Sequence, residues 1–142
     1  MCSSDLQCWH ASPRHPVREY VGAANAEACL HRQRTPIGLV GHTHAPAAWT
    51  AGAQGGARAV AVAPDRPLDL RAGKWLLNPG AVGAPVPGPG NRDAATERHA
   101  RAGAWWLELD LDALRATWRR APFDPRPAWE RARAAGLVRT AA

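Results

Sequence analysis

One phenylalanine, one tyrosine and one methionine are all that the 142-residue chain holds of those types, and Lys74 is its single lysine. The nominal 46% hydrophobic content is also thinner than it looks. It corresponds to 65 residues, of which 31 are alanine, leaving 34 larger or sulfur-bearing side chains. Seven tryptophans make up part of that shortfall. The larger apolar residues gather in 37–40, 60–62, 68–77 and 105–118, each run bounded by glycine, proline or charge. This is the pattern of one globular domain built from many short elements. No run approaches the roughly 20 apolar residues that a membrane-spanning helix needs, and the N-terminus has no apolar targeting core. Cysteine is scarce and odd in number, Cys2, Cys8 and Cys29, with no C-x-x-C pair. That excludes a disulfide framework and a zinc knuckle, and the expectation is a cytoplasmic protein with no membrane partner.

A basic block is missing too, despite a net charge of +6 and a pI near 10.5. Residues 1–44 carry 4 basic and 3 acidic side chains, residues 45–103 carry 7 and 4, and residues 104–142 carry 7 and 5. Charge this evenly spread is a compositional bias more than a phosphate-binding surface, so a nucleic-acid partner is not expected.

What is present divides into helical and extended stretches. Residues 16–33 read as helix, broken at Gly22, with Asn25 as the N-cap of a second short segment that carries Glu27 in its first turn. A buried strand is expected over Ile37–Val40, and weaker strand signals fall at Ala47–Thr50, Arg58–Val62 and Trp75–Leu77. The proline- and glycine-rich stretch between Pro85 and Arg101 reads as a mobile loop. Trp105, Leu107 and Leu109 alternate with Trp106, Glu108 and Asp110, a period of two that marks a half-buried strand. Leu114, Ala116 and Trp118 repeat it after a turn near Asp112, giving a hairpin. Asp124 and Pro125 then look like the cap and first residue of a last helix, which stops at Gly136 with Leu137 packing back.

Polar chemistry concentrates in H-A-S-P-R at 10–14, G-H-T-H at 41–44 and N-P-G-A-V-G at 78–83. Neutral imidazole is a common ligand of divalent transition metals. His42 and His44, two apart, share a face if the backbone between them is extended. A lone histidine is usually a surface or core residue, and H-x-H is a weak signal by itself. Its position, where a strand ends in a loop led by Gly41, strengthens it, because sites in α/β folds favour such strand ends. His10 likewise follows an apolar start, and Ser12-Pro13 suits a helix N-cap and first residue, with free N–H groups that favour a nearby anion. Asn78-Pro79-Gly80 alone is only a turn signal.

Taken together and in this order, the three segments resemble the C-terminal half of the calcineurin-like metallophosphoesterases, closest to small bacterial phosphodiesterase-like and diadenosine-tetraphosphatase-like members. Ala11 stands where the family has glycine and Ala81 where it has serine. The resemblance runs from residue 9 to about 138. It implies an α/β fold, the C-terminal part of a β-sandwich flanked by helices that is four-layered, α/β/β/α, when complete. It implies two divalent ions, of manganese, iron, zinc or nickel, about 3.5–4 Å apart, with a bridging hydroxide that attacks a phosphate ester or nucleotide in line. His10 and His42 would then bind one metal and His44 the other, with Arg14, Gly41, Asn78 and Gly80 adjacent to substrate or structural.

The family's other motifs, D-x-H, G-D-x-x-D and G-N-H-D, have no counterpart before His10. Gly90-Asn91-Arg92-Asp93 is a chance look-alike in the wrong place. Residues 1–8 match no family strand and read as a foreign or unstructured start on a truncated frame. The expectation is therefore a fragment, residues 9–138, that binds metal weakly and is inactive alone. Its single sheet layer would leave an apolar face uncovered around Trp105, Leu107 and Leu109. Two other readings compete: a non-catalytic nucleic-acid-binding or interaction module that uses the arginines, and a domain that holds one metal with three histidines.

Overall fold

The computed structural model describes residues 6–52, 55–83, 103–124 and 126–137. The expected loop between Pro85 and Arg101, with its G-N-R-D stretch, lies outside the described residues. Among the described residues eight strands and two helices follow in order: β1 (Leu6–Cys8), α1 (Ala26–Arg32), β2 (Ile37–Leu39), β3 (Ala47–Ala51), β4 (Ala57–Val60), β5 (Pro67–Asp69), β6 (Trp75–Asn78), β7 (Ala104–Asp110), β8 (Arg115–Ala121) and α2 (Arg126–Ala134).

The strands form two sheets, one of five in the order β1-β2-β6-β3-β4 and one of three in the order β5-β8-β7. In the larger sheet β1, β2 and β6 are mutually parallel, whereas β3 runs antiparallel to both β6 and β4. The C-terminal ends of the three parallel strands therefore lie at one end of the sheet, and the loops that leave them meet there.

One core lies between the sheets. Ile37, Ala48, Trp75 and Leu77 from the five-stranded sheet pack with Trp105, Ala116 and Trp118 from the three-stranded one and with Leu70. The indole N–H of Trp118 donates to the Asn78 carbonyl at 2.8 Å and so pins one sheet to the other. A second core covers the opposite face of the large sheet, where Ala26, Cys29 and Leu30 of α1 meet Val40, Trp49, Leu76 and Val21. The result is a mixed α/β sandwich with layers α1, large sheet and small sheet. The α/β sandwich is as expected, but the expected single, uncovered sheet layer is not. Trp105 is 6% exposed because β7 and β8 belong to a second sheet that closes over the first. It is Trp106, on the outer face of that sheet, that is 39% exposed.

Several local expectations also change. Residues 6–8, read as part of an unstructured start, form a strand paired with β2 through Leu6↔Ile37, Gln7↔Gly38 and Cys8↔Leu39. Residues 1–5 lie outside the described residues. The helix expected over 16–33 shrinks to the seven residues of α1. Asn25 does sit at its N-cap position without capping it. The Asn25 side chain instead accepts from the Gly22 N–H at 2.8 Å and donates to the Tyr20 carbonyl at 2.9 Å, closing the turn ahead of the helix. At the far end Gly136, with φ of +69°, lets the Leu137 N–H reach the Ala132 carbonyl at 2.9 Å, the bond that terminates a helix in a left-handed residue. The Leu137 side chain does not pack back, being 76% exposed. Asp124 accepts from the Arg126 N–H at 3.0 Å at the start of α2, and Pro125 lies outside the described residues.

No helix among the described residues is long and apolar enough to cross a membrane. Of the cysteines, Cys8 is exposed and Cys29 buried, both as free thiols.

Candidate metal centre

His10 leaves the end of β1, His42 and His44 leave β2, and Pro79-Gly80 leaves β6, so the three sequence segments converge because their strands are parallel neighbours. Backbone contacts fix the convergence. The Gly41 N–H donates to the His10 carbonyl at 3.0 Å, and a Cβ on Gly41 would lie 3.1 Å from that oxygen. Glycine is what lets the two loops touch.

The G-H-T-H turn is not extended, so the condition under which His42 and His44 would share a strand face is not met. His42 and His44 have φ of +65° and +58°, and the Thr43 N–H donates to the Gly41 carbonyl at 2.7 Å. A bond from residue i+2 to residue i across a central residue of positive φ is a γ-turn of the rare, strained kind. Strain of that sort, on the order of 1–3 kcal/mol, persists only where surrounding contacts over-determine it. Asn78 supplies such contacts. Fully buried, its amide donates to the Gly41 carbonyl at 3.0 Å and to Thr43 Oγ1 at 2.8 Å, and its Oδ1 accepts from the Gly80 N–H at 2.9 Å. Gly80 has φ of +90°, and a Cβ there would meet Trp105 Cβ at 2.8 Å. Asn78-Pro79-Gly80 is thus more than a turn: it bolts the histidine loop to the sandwich, and Asn78 and Gly80 act structurally.

Ser12 does not start a helix. Buried, its hydroxyl accepts from the Arg14 and His15 N–H groups at 3.1 and 2.9 Å and donates to Glu19 at 2.5 Å, which folds residues 12–19 into a compact loop. Arg14 lies against Glu19 at 3.7 Å, at the edge of an open groove of ≈ 590 Å³ lined with His15, Ala28, His31 and Arg32. The Ser12 hydrogen bond, with help from Arg14, holds the Glu19 carboxyl below the usual carboxylate range.

At the centre, His10 Nε2 and His42 Nδ1 stand 3.1 Å apart. With no ion between them this is a hydrogen bond, one ring donating and the other accepting. Two nitrogens that far apart, each about 2.0–2.1 Å from a shared ion, would subtend an angle of about 95–100° at it, between the ideal octahedral and tetrahedral values. Burial, followed by the nearby charges of His10 and His44, pushes the His42 pKa down, against a backbone hydrogen bond to Arg18. The ring is therefore neutral at neutral pH, the form that ligates a metal. His44 Nδ1 is buried without a hydrogen-bond partner among the described residues, and a buried polar atom left so calls for a ligand or a cost. The donor set thus fits a metal. It is also incomplete: among the described residues no group of three or more His, Cys, Asp or Glu side chains is arranged to hold an ion. Structure pairs His10 with His42 and keeps His44 nearby but separate.

Sequence reasoning missed Tyr20, whose ring stacks on His42 at 4.1 Å between centroids and 22° between planes. It lies in a stretch read as helix, and nothing local signals that it folds back onto a loop more than twenty residues away.

Two imidazoles meet at the parallel strand ends of an α/β/β sandwich, which makes this end of the sheet a candidate metal centre, and the fold is that of a metallophosphoesterase-like sandwich. The chain is similar to a metallophosphoesterase from Sphaerobacter thermophilus, with 29% identity and a TM-score of 0.73 over 96% of this chain and 53% of that one. It also shares its fold with the hypothetical protein PH1004 from Pyrococcus horikoshii, at 15% identity and a TM-score of 0.52 over 93% of this chain and 42% of that one. The chain thus spans about half the length of each of these structures. No family model matches it, and no curated protein matches it significantly.

Proposed function

We propose that this chain is the C-terminal, histidine-bearing half of a metal-dependent phosphoesterase centre that acts on phosphate esters or nucleotides. The observation that carries the reading is the 3.1 Å separation of His10 Nε2 and His42 Nδ1, a spacing that suits two ligands of one ion. His10 and His42 would hold that ion, and His44, through its orphaned nitrogen, a second. When bound, such ions supply Lewis-acid stabilisation of phosphoryl oxygens. The chain's own residues supply ligands and rigidity. Asn78, Gly41 and Gly80 hold the strained loop, and Arg14, paired with Glu19, holds the loop that follows His10.

Two divalent ions bring four positive charges, and the three imidazoles offer no negative charge against them. Glu19, the carboxylate in the loop that follows His10, is engaged by Ser12 and Arg14. On its own the chain is therefore expected to bind a divalent ion weakly and to turn over little, as a part whose carboxylate ligands come from elsewhere.

The test is metal titration and turnover of the purified chain with manganese and a generic aryl phosphodiester, beside a His10→Ala and His42→Ala double variant. Metal binding lost in the variant supports the reading; binding unchanged in the variant sinks it. Strong metal-dependent turnover by the chain alone would overturn its incompleteness. The arginine-based alternative, a nucleic-acid-binding module, gains little from the groove, since Arg14 and His31 there already lie against Glu19 and Glu27. Salt-dependent nucleic-acid binding indifferent to metal would favour it.

A further inference from the structure

We propose that Glu19 and Tyr20 form a clamp that sets the His42 ring for metal binding, with Tyr20 as its positioning residue; this rests on the reading of His42 as a ligand. Each residue of the segment has a separate part. The Tyr20 ring lies flat against the His42 imidazole at 4.1 Å, while the His10 ring meets the same imidazole edge-on at 4.8 Å and 62°.

Glu19 and Asn25 fasten the segment from either side. The Glu19 carboxylate is held by the Ser12 hydroxyl and by Arg14, and the Asn25 amide holds the Tyr20 carbonyl at 2.9 Å. Tyr20 is itself 50% exposed. A large aromatic half in water contributes little to a core, and its one stacking partner among the described residues is His42. The His42 backbone is strained and its loop short of regular hydrogen bonds, so the ring's direction depends on contacts from outside the loop. Tyr20 and His10 are those contacts.

The experiment measures zinc affinity of the full chain by competition with a chromophoric chelator, and the ring-proton shifts of His42 by NMR, for wild type, Tyr20→Phe, Tyr20→Leu and the His10→Ala/His42→Ala double variant. Tyr20→Leu is expected to weaken zinc binding by about 2- to 10-fold, the worth of an aromatic pair, and to abolish the ring-current displacement of the His42 protons. Tyr20→Phe, which keeps the stack, should restore both. If Tyr20→Leu binds zinc as wild type does while the double variant loses it, the clamp is wrong and the ligand assignment stands. If the double variant binds as wild type, the ligand assignment fails and the clamp with it. Should Tyr20→Leu not fold, Glu19→Gln loosens the same segment without touching His42, and unchanged affinity in that variant overturns the proposal equally.

Discussion

The β7–β8 hairpin and the histidine loops are held by opposite means. In the hairpin, seven residues pair with seven in a single register, from Ala104↔Ala121 to Asp110↔Arg115. The turn is closed within itself by Asp110 Oδ1, which accepts from Ala113 N–H at 2.8 Å. Every contact needed to specify it lies within about twenty residues of chain. In the loops the decisive bonds run between distant segments: Asn78 to Gly41 across 37 positions, His10 to His42 across 32. The hairpin follows from alternation. The site exists only once the parallel strands are paired, so its geometry is a product of tertiary structure and stores strain that the sandwich sustains.

If that contrast is right, damage to the sandwich and damage to the loop should separate. The largest effect is expected from Trp118→Ala. Trp118 is 1% exposed between the sheets, and its removal leaves a cavity and an unpaired Asn78 carbonyl, a loss of about 3–5 kcal/mol. In guanidinium unfolding followed by circular dichroism the midpoint should collapse. Metal affinity of the fraction that remains folded should hardly change. A midpoint close to wild type would mean that the two sheets are not joined through this side chain.

Asn78→Ala should do the reverse. It strips the half-buried Gly41 carbonyl and Gly80 N–H of their partner, costing about 1–3 kcal/mol, less than the tryptophan. It also releases the γ-turn on which His42 sits, so zinc affinity should fall by more than Trp118→Ala lowers it. Equal affinity in the two variants would erase the distinction between site and scaffold.

How much of this was legible in the sequence follows the same division. Trp105 to Trp118 announced their strands because alternation is a local property, and Gly136 announced a helix stop because only the left-handed region serves there. His10, His42 and His44 were legible as candidates through residue type and position at strand ends. Their geometry was not. The positive φ of both loop histidines rules out the extended backbone under which H-x-H would share a face, and the strain is held by Asn78 from another strand. Residues 16–22 have helical composition, yet Ser12 and Asn25 bind the segment into turns, and side-chain-to-backbone bonds of this kind compete with helix. The second sheet was missed for a similar reason. β5 is three residues long and has no periodicity of its own; it is defined by pairing with β8.

A smaller effect is expected from acid. Glu19 has its pKa depressed by the Ser12 hydrogen bond and by Arg14. A depressed carboxyl contributes stability that is present above its unfolded value, near 4.3, and is lost as pH falls through the lower folded value. Between neutral pH and about 5 the loop over residues 12–20 should be unaffected, and below about 4 it should loosen before the hairpin does. Amide exchange of Arg14 and His15, whose N–H groups bond Ser12, is the measurement. Simultaneous loss of protection in loop and hairpin would show that the two regions are one cooperative unit.

The smallest effect should come from Arg119→Gln. Its guanidinium reaches Asp65 at 2.7 Å and Glu108 at 2.9 Å, and both carboxylates push its pKa up, which on a drawing of the hairpin looks like a principal fastening. All three side chains are open to water, however. There the attraction is screened and the entropy of holding long side chains in one place offsets most of what is left. The hairpin is held instead by its ladder and by Trp105 and Trp118 on the inner face. The unfolding midpoint of Arg119→Gln should match wild type within error at 150 mM salt and fall only slightly at low ionic strength. A clear loss at physiological salt would mean that the outer face of the small sheet carries part of the sandwich's stability, and that the hairpin too depends on a long-range contact, the one to Asp65.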